Sequence, residues 1–379
     1  MQVEQTQFRK SDQSQIAITQ GTHFDLVLAF GNSSTIADPI WYSRLQTNYP
    51  QAEILMCSTA GEIMDTHIYE DSLCVTAMRF EKAKIRAVSV QISEATTSAA
   101  AGDALARSID CSGLKGILVI SDGHSVACED LLAAMKDVLP PGTLIVGGLA
   151  GGKIGFEHTL VGLNEVPAEG KVAAICFYGP GISICYGSSG GWTPFGPERV
   201  ITASKKNILY ELDGQPALDT YKMYLGEYAA ELPASALFFP LSVKNRETSI
   251  SQTRTILSVD ETTKSLAFAG NILPGGQARL MTSTPGRLVK GAEQAALQSM
   301  NGNTTPPSFA LLVSCVGRKL ALNQYTEDEL EAVRNVYGEG TFLAGFYSYG
   351  EISPSYNREG YELHNQTMTI MTITESDSL

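Results

Sequence analysis

The chain has 379 residues, 44% hydrophobic and only 18% charged, so it can bury a substantial core and has room for more than one domain. Its formal charge of −13 argues against a nucleic-acid or anionic-membrane surface, since either needs clustered Lys and Arg. The polar start MQVEQTQFRKSDQSQ carries no secretory signal, and no apolar run approaches the roughly 20 residues that span a bilayer. Seven cysteines without a CxxC pair or a Cys/His cluster read as reduced thiols, so the expected setting is cytoplasmic.

In chain order, residues 1–22 read as an N-terminal tail. Three later stretches then share one grammar. Residues 26–30 are an apolar run closing on Gly31; a helix is expected over about 35–46, and 54–56 lead into Cys57-Ser58-Thr59-Ala60-Gly61-Glu62-Ile63. Residues 117–120 close on Asp122-Gly123, 129–138 read as a helix, and 144–146 lead into Gly147-Gly148-Leu149-Ala150-Gly151-Gly152. Residues 311–314 close on Gly317, 327–336 read as a helix, and 342–344 lead into Gly345-Phe346-Tyr347-Ser348-Tyr349-Gly350-Glu351-Ile352. From first to last glycine each stretch runs about 30 residues, the length of a βαβ unit with a right-handed crossover. A β-rich segment follows each copy at 73–80, 171–177 and 367–374, and 181–186 extends the second. The expected fold is therefore α/β in the mixed α+β sense: duplicated β-α-β-β units forming mixed sheets in two related halves.

Between the second and third copies the pattern changes. Residues 216–225 read as a helix ending at Gly226, followed by strand-like runs at 237–243, 253–259, 265–269 and 279–282 and an amphipathic helix over 287–300. The polar stretch Ser204-Lys205-Lys206-Asn207 sets an expected boundary near residue 205, giving domains over 23–205 and 206–375.

Several motifs invite a chemical reading. Gly187-Ser188-Ser189-Gly190-Gly191 fits GxSxG, but a nucleophile elbow needs a helix straight after the Ser, and Pro194 and Pro197 forbid one. Ser121-Asp122-Gly123-His124-Ser125 ends a strand where α/β proteins bind ligands, yet it is equally a helix-capping turn. Glu62 and Glu351 occupy matching places in two copies, with Gly152 read as the middle counterpart; either carboxylate could receive an amine or guanidinium, or simply cap and pair. His364, beside Asn365 and downstream of Phe346, Tyr347 and Tyr349, could ligate haem iron or bind a small anion, or serve the fold. Cys315 and Arg318 end the third strand, and Arg246, Arg254 and Arg279 dot the intervening region, where a guanidinium fork would suit a carboxylate. A thiol hydrolase using Cys57 or Cys315 is a competing reading, set against buried cysteine acting as a small hydrophobe.

Taken together the chain resembles the FIST sensory family. The residues that carry the likeness are the 57–63 phrase, Leu209-Tyr210-Glu211-Leu212-Asp213-Gly214 with Pro216, Ala217 and Tyr221, and Phe239-Pro240-Leu241. They continue through Phe268-Ala269-Gly270, Ser314-Cys315 with Gly317-Arg318, Gly345-Phe346-Tyr347 with Gly350-Glu351-Ile352, and Leu363-His364-Asn365 with Thr367. The resemblance implies a signal-input module rather than an enzyme, binding a small molecule such as an amino acid and acting on a partner. Stand-alone members of this size resemble nitric-oxide-sensing haem proteins that regulate histidine kinases and cyclic-di-GMP enzymes, and through them biofilms. On that likeness any haem b would be held non-covalently, with His364 as the axial ligand. The ligand-binding set implied is Cys57, Glu62, Arg246, Cys315, Arg318, Tyr347, Tyr349, Glu351, His364 and Asn365.

Overall fold

A computed structural model describes residues 1–9, 23–152, 158–246, 250–355 and 360–376. The body consists of three β-α-β units, one for each copy of the repeated phrase. The first contains β1 (Gln2–Arg9), β2 (Leu26–Gly31), α1 (Ser33–Ile36), α2 (Pro39–Asn48), β3 (Glu53–Ser58), β4 (Glu62–Met64), β5 (His67–Tyr69) and β6 (Ser72–Arg79). The second contains β7 (Lys84–Gln91), α3 (Ile92–Ala95), α4 (Ser98–Arg107), β8 (Leu114–Ser121), α5 (Cys128–Val138), β9 (Ile145–Leu149), β10 (Val161–Leu163) and β11 (Lys171–Tyr178).

The third unit opens with β12 (Ile182–Ser189) and is then interrupted by an insertion: β13 (Thr193–Lys205), β14 (Ile208–Leu212), β15 (Gln215–Pro216), α6 (Ala217–Leu225), β16 (Leu241–Lys244), β17 (Ser251–Arg254), β18 (Ile256–Asp260), β19 (Ser265–Phe268) and β20 (Gln277–Thr282). It resumes with α7 (Pro285–Ser299), β21 (Phe309–Cys315), α8 (Val316–Leu322), α9 (Thr326–Tyr337), β22 (Phe342–Ser348), β23 (Glu351–Pro354), β24 (Tyr361–His364) and β25 (Met368–Glu375).

Each unit builds one sheet on the same plan, with orders β1-β6-β2-β3, β7-β11-β8-β9 and β12-β25-β21-β22. The two βαβ strands run parallel in each, and the flanking strands antiparallel. The fifth place is filled by exchange. Hairpin β4–β5 leaves the first unit to pair with β22, β10 leaves the second to pair with β3, and β23–β24 leaves the third to pair with β9. The donations therefore form a closed cycle of three.

The sequence dictates this packing through apolar runs covered on both faces. Leu26, Leu28 and Phe30, with Leu118 and Ile120, and Phe309, Leu311 and Val313, point inward to one shared core. Their alternating neighbours point outward under helices: Val27 and Ala29 to Trp41 and Leu45, Ile117 and Val119 to Leu131 and Met135, and Ala310 and Leu312 to Ala292 and Val333. Across the central core Phe30 and Phe346 stack with ring centroids 4.9 Å apart. The insertion has a separate core around Leu209, Leu218, Tyr221, Leu266 and Phe268, and its sheet runs β17-β16-β20-β13-β14-β19-β18.

Several expectations change. Of the expected tail, Gln2–Arg9 forms an edge strand on β6, while residues 10–22 lie outside the described residues. The expected boundary near 205 falls in the turn of the β13–β14 hairpin, inside the insertion. The helix expected over 35–46 is split into α1 and α2, because Asp38 caps a new helix with Pro39 at its first position.

Candidate functional site

The three glycine turns meet on the pseudo-three-fold axis. Ala60 N donates to Tyr347 O at 2.9 Å, Gly151 N to Ser58 O at 2.8 Å and Tyr349 N to Leu149 O at 3.4 Å. That triangle fixes the equivalences: Ala60, Gly151 and Tyr349 correspond, so Gly152 matches Gly61 and Gly350. The position matching Glu62 and Glu351 is thus Lys153, not Gly152, and it lies outside the described residues.

Glu62 and Glu351 are twins in detail. Glu62 accepts from the Thr59 hydroxyl at 2.7 Å and the Ser72 hydroxyl at 2.9 Å. Glu351 accepts from the Ser348 hydroxyl at 2.8 Å and from the Thr367 backbone N–H and hydroxyl at 3.0 and 2.8 Å. Burial pushes both carboxyls up to about 7, against the pull of those hydrogen bonds. Glu62 lines a cleft of about 420 Å³ with Asn32, Thr59, Glu70 and Lys319, whose Nζ donates to Ala60 O at 2.8 Å.

Arg318 is fully buried and spent on the protein. It holds Glu329 through Nε at 3.2 Å and Nη2 at 2.7 Å, donates to Leu288 O at 2.8 Å and also binds Gly190 O. Glu329 in turn accepts from the Ser314 and Tyr347 hydroxyls, each at 2.9 Å. Arg318 and Tyr347 therefore tie α7, α9 and the glycine turn to β21 rather than facing a cleft. Gly187 and Gly191 of the GxSxG turn lie where a Cβ would come within 1.9 Å of Ala295 O and 2.2 Å of Arg287 O, so the motif is a close-packing device against α7. Asp122 accepts from His124 N at 2.7 Å, Ser125 N at 3.0 Å, the Thr159 hydroxyl at 2.5 Å and also Gly170 N, which is the capping reading of its turn.

Neither Cys57 nor Cys315 is set up as a nucleophile. Burial, with Glu62 or Glu351 nearby, raises both thiols far above neutrality, so no thiolate forms. Arg246 is exposed just beyond β16, and the Tyr349 ring packs on Gly123.

The insertion creates the cleft that His364 and Asn365 share. About 390 Å³ in volume, it lies between the polar face of β16, β17 and β20 and a wall made by Ser189–Trp192, Gln294, His364, Asn365 and Thr367. The Trp192 indole donates to Gln366 O at 3.1 Å and closes one end. Arg254 pins the insertion to the body beside it, donating to Leu363 O at 2.9 Å and to Glu129 at 2.7 Å. Glu351 stands behind this wall, hydrogen-bonded to Thr367. Of the expected set, the structure brings His364 and Asn365 into the cleft with Glu351 as support. Arg279 and Lys244, facing them, are the residues that sequence reasoning passed over or left undifferentiated. Their signal was polar alternation in Ser242-Val243-Lys244, Ser251-Gln252-Thr253 and Gln277-Ala278-Arg279.

This cleft does not fit haem. A macrocycle needs apolar walls on two faces, whereas one face here is Ser, Lys, Thr, Gln and Arg. The Nε2 of His364 is itself buried, 3.9 Å from Glu362, so it reaches no iron in the cleft without turning out. Burial and the Arg254 charge hold the ring down at about 4, and it stays neutral.

Among the described residues no group of three or more His, Cys, Asp or Glu could hold a metal ion, and no helix is long and apolar enough to cross a membrane. A solved structure of cyanuric acid hydrolase from A. caulinodans is similar over 99% of both chains, at 8% identity and a TM-score of 0.36. No curated protein matches. The family model for the FIST N domain matches residues 25–215 and that for the FIST C domain residues 217–354. The chain belongs to the FIST family, whose domains are small-ligand sensor domains of signal transduction.

Proposed function

We propose that this chain is the input module of a signalling system and that its ligand enters the cleft between the insertion and the body. The observation that carries the reading is the cleft itself, bounded by two separately cored parts. A small molecule seated there touches both parts, so it favours one relative placement of the two, which is what a sensor must do. Of the wall residues, His364 pairs with Glu351 in strand register and Thr367 hydrogen-bonds its carboxyl, giving the change a route inward to the turns on the axis.

A thermal-shift screen of small polar metabolites tests this. A ligand at 100 times its Kd stabilises the native state by about 2.7 kcal/mol, and Thr253→Trp, which fills the cleft, should abolish the shift. A shift that survives Thr253→Trp places the ligand elsewhere.

The finer form of the reading, a cytoplasmic haem-based nitric oxide sensor regulating a histidine kinase or cyclic-di-GMP enzyme, rests on family resemblance. Protein expressed with excess haem would have to show a Soret band that moves with nitric oxide and is lost in His364→Ala. Co-purification with a candidate kinase, altered by ligand, tests the output.

A further inference from the structure

We propose that the ligand of this cleft is a small dianion that also carries an N–H or O–H donor, of the hydroxy-dicarboxylate class; the inference rests on the sensor reading above. Strand register places Ser242, Thr253 and Arg279 in one cross-strand row and Lys244, Ser251 and Gln277 in the next. Side chains alternate along a strand, so these six share one face, and all six line the cleft. Their neighbours Leu241 and Leu280 point the other way, into the core of the insertion. Six polar side chains on one face that looks across the cleft to the body, five of them partly buried and Ser251 exposed, match a polar occupant.

The charges specify it further. Lys244 and Arg279 are diagonal neighbours on adjacent strands, about 7–8 Å apart between Cα atoms. Arg279 anchors its Nε on Gly196 O at 2.7 Å, which leaves the outer guanidinium nitrogens for a carboxylate. Among the described residues neither cation has an ion-pair partner, and Glu198 is the one lining carboxylate, exposed at the rim. In a chain of net charge −13, two unpaired cations on one wall suit two acid groups on the ligand.

The opposite wall supplies the third point. Asn365 is 1% exposed, its Nδ2 donates to His364 O at 3.0 Å, and its Oδ1 has no donor. A buried acceptor left without a donor is costly unless something else satisfies it. A hydroxyl or amine between the two acid groups would do so once the Asn365 amide turns toward the cleft.

Calorimetry and thermal shift on the full chain, with malate, succinate, lactate and putrescine as probes, test this. Malate should bind saturably. Succinate, lacking the hydroxyl, and lactate, lacking one carboxylate, should each bind at least tenfold more weakly, and putrescine not at all. Lys244→Ala, at a partly exposed position, should weaken malate at least tenfold and leave the ligand-free Tm unchanged; Arg279→Ala, which also gives up the bond to Gly196 O, should weaken malate at least tenfold. Asn365→Asp should weaken it through repulsion. Malate binding untouched by both cation variants would overturn the proposal. So would a cleft-dependent shift, lost in Thr253→Trp, from putrescine or a neutral sugar alone, although the sensor reading would then stand. If no probe of any class shifts the protein, both fall.

Discussion

Two carboxyls and one imidazole in the interior give the protein a pH signature at the scale of single residues. Glu62 and Glu351 hold their protons up to about 7 when folded but ionise near 4.5 when unfolded. The native state thus binds the proton more tightly, and stability falls as pH rises from about 4.5 to about 7 and is flat above. His364 works the other way: held at about 4 against an ordinary 6.5, it loses stability as pH falls through that window. Glu62→Gln/Glu351→Gln should be more stable than the parent at pH 8, by on the order of 3 kcal/mol per site at most. The gap should vanish near pH 4, and urea midpoints across pH 4–8 would show it. Arg318→Ala leaves Glu329 buried without its cation and should cost about 3–5 kcal/mol. Arg318→Met/Glu329→Leu should recover only part of that in the same denaturation assay, because Leu288 O, Gly190 O and the Ser314 and Tyr347 hydroxyls still lose a partner.

At the scale of elements, glycines decide how closely strands and helices approach. A Cβ on Gly345 would fall 1.9 Å from Leu312 O on the neighbouring strand, and its counterpart Gly147 meets Val119 O at 1.8 Å. Gly345→Ala should therefore destabilise by about 1–3 kcal/mol or more, and Gly286→Ala, at an open helical position, by none; thermal unfolding separates the two. The repeated phrase was legible because a strand buried on both faces has to be a continuous apolar run stopped by small residues. Helix α8 was not legible, since Val316–Leu322 is seven residues dominated by tertiary contacts through Arg318. The cleft was half legible. His364 and Asn365 stand in a memorable phrase, but Lys244 and Arg279 meet them only through β16–β20 pairing, which the polar alternation within each strand does not encode. The register of the three turns likewise emerged from hydrogen bonds rather than from spacing.

For the whole molecule, strand exchange overrides the linear division at residues 215–217. A fragment of residues 1–215 would carry β4–β5 without β22 and β9 without β23. It should lack the native near-UV signal and should not be protected against proteolysis. A fragment that folds cooperatively by itself would show the exchange to be dispensable. In the intact chain Trp41, buried in the first unit, should report the same unfolding midpoint as far-UV circular dichroism of the body.

The cycle of donated strands also sets an order of events during synthesis. The first unit's hairpin has no partner until residues 342–348 exist, and the edge of β9 stays bare until residues 351–354 do. Most of the chain must wait for its last tenth before either ladder can close. During that interval two unpaired strand edges face the cell, and unpaired edges invite wrong partners. Slow emergence of the final segment is therefore a hazard built into the topology, and chaperone dependence of the newborn chain is its expected mark.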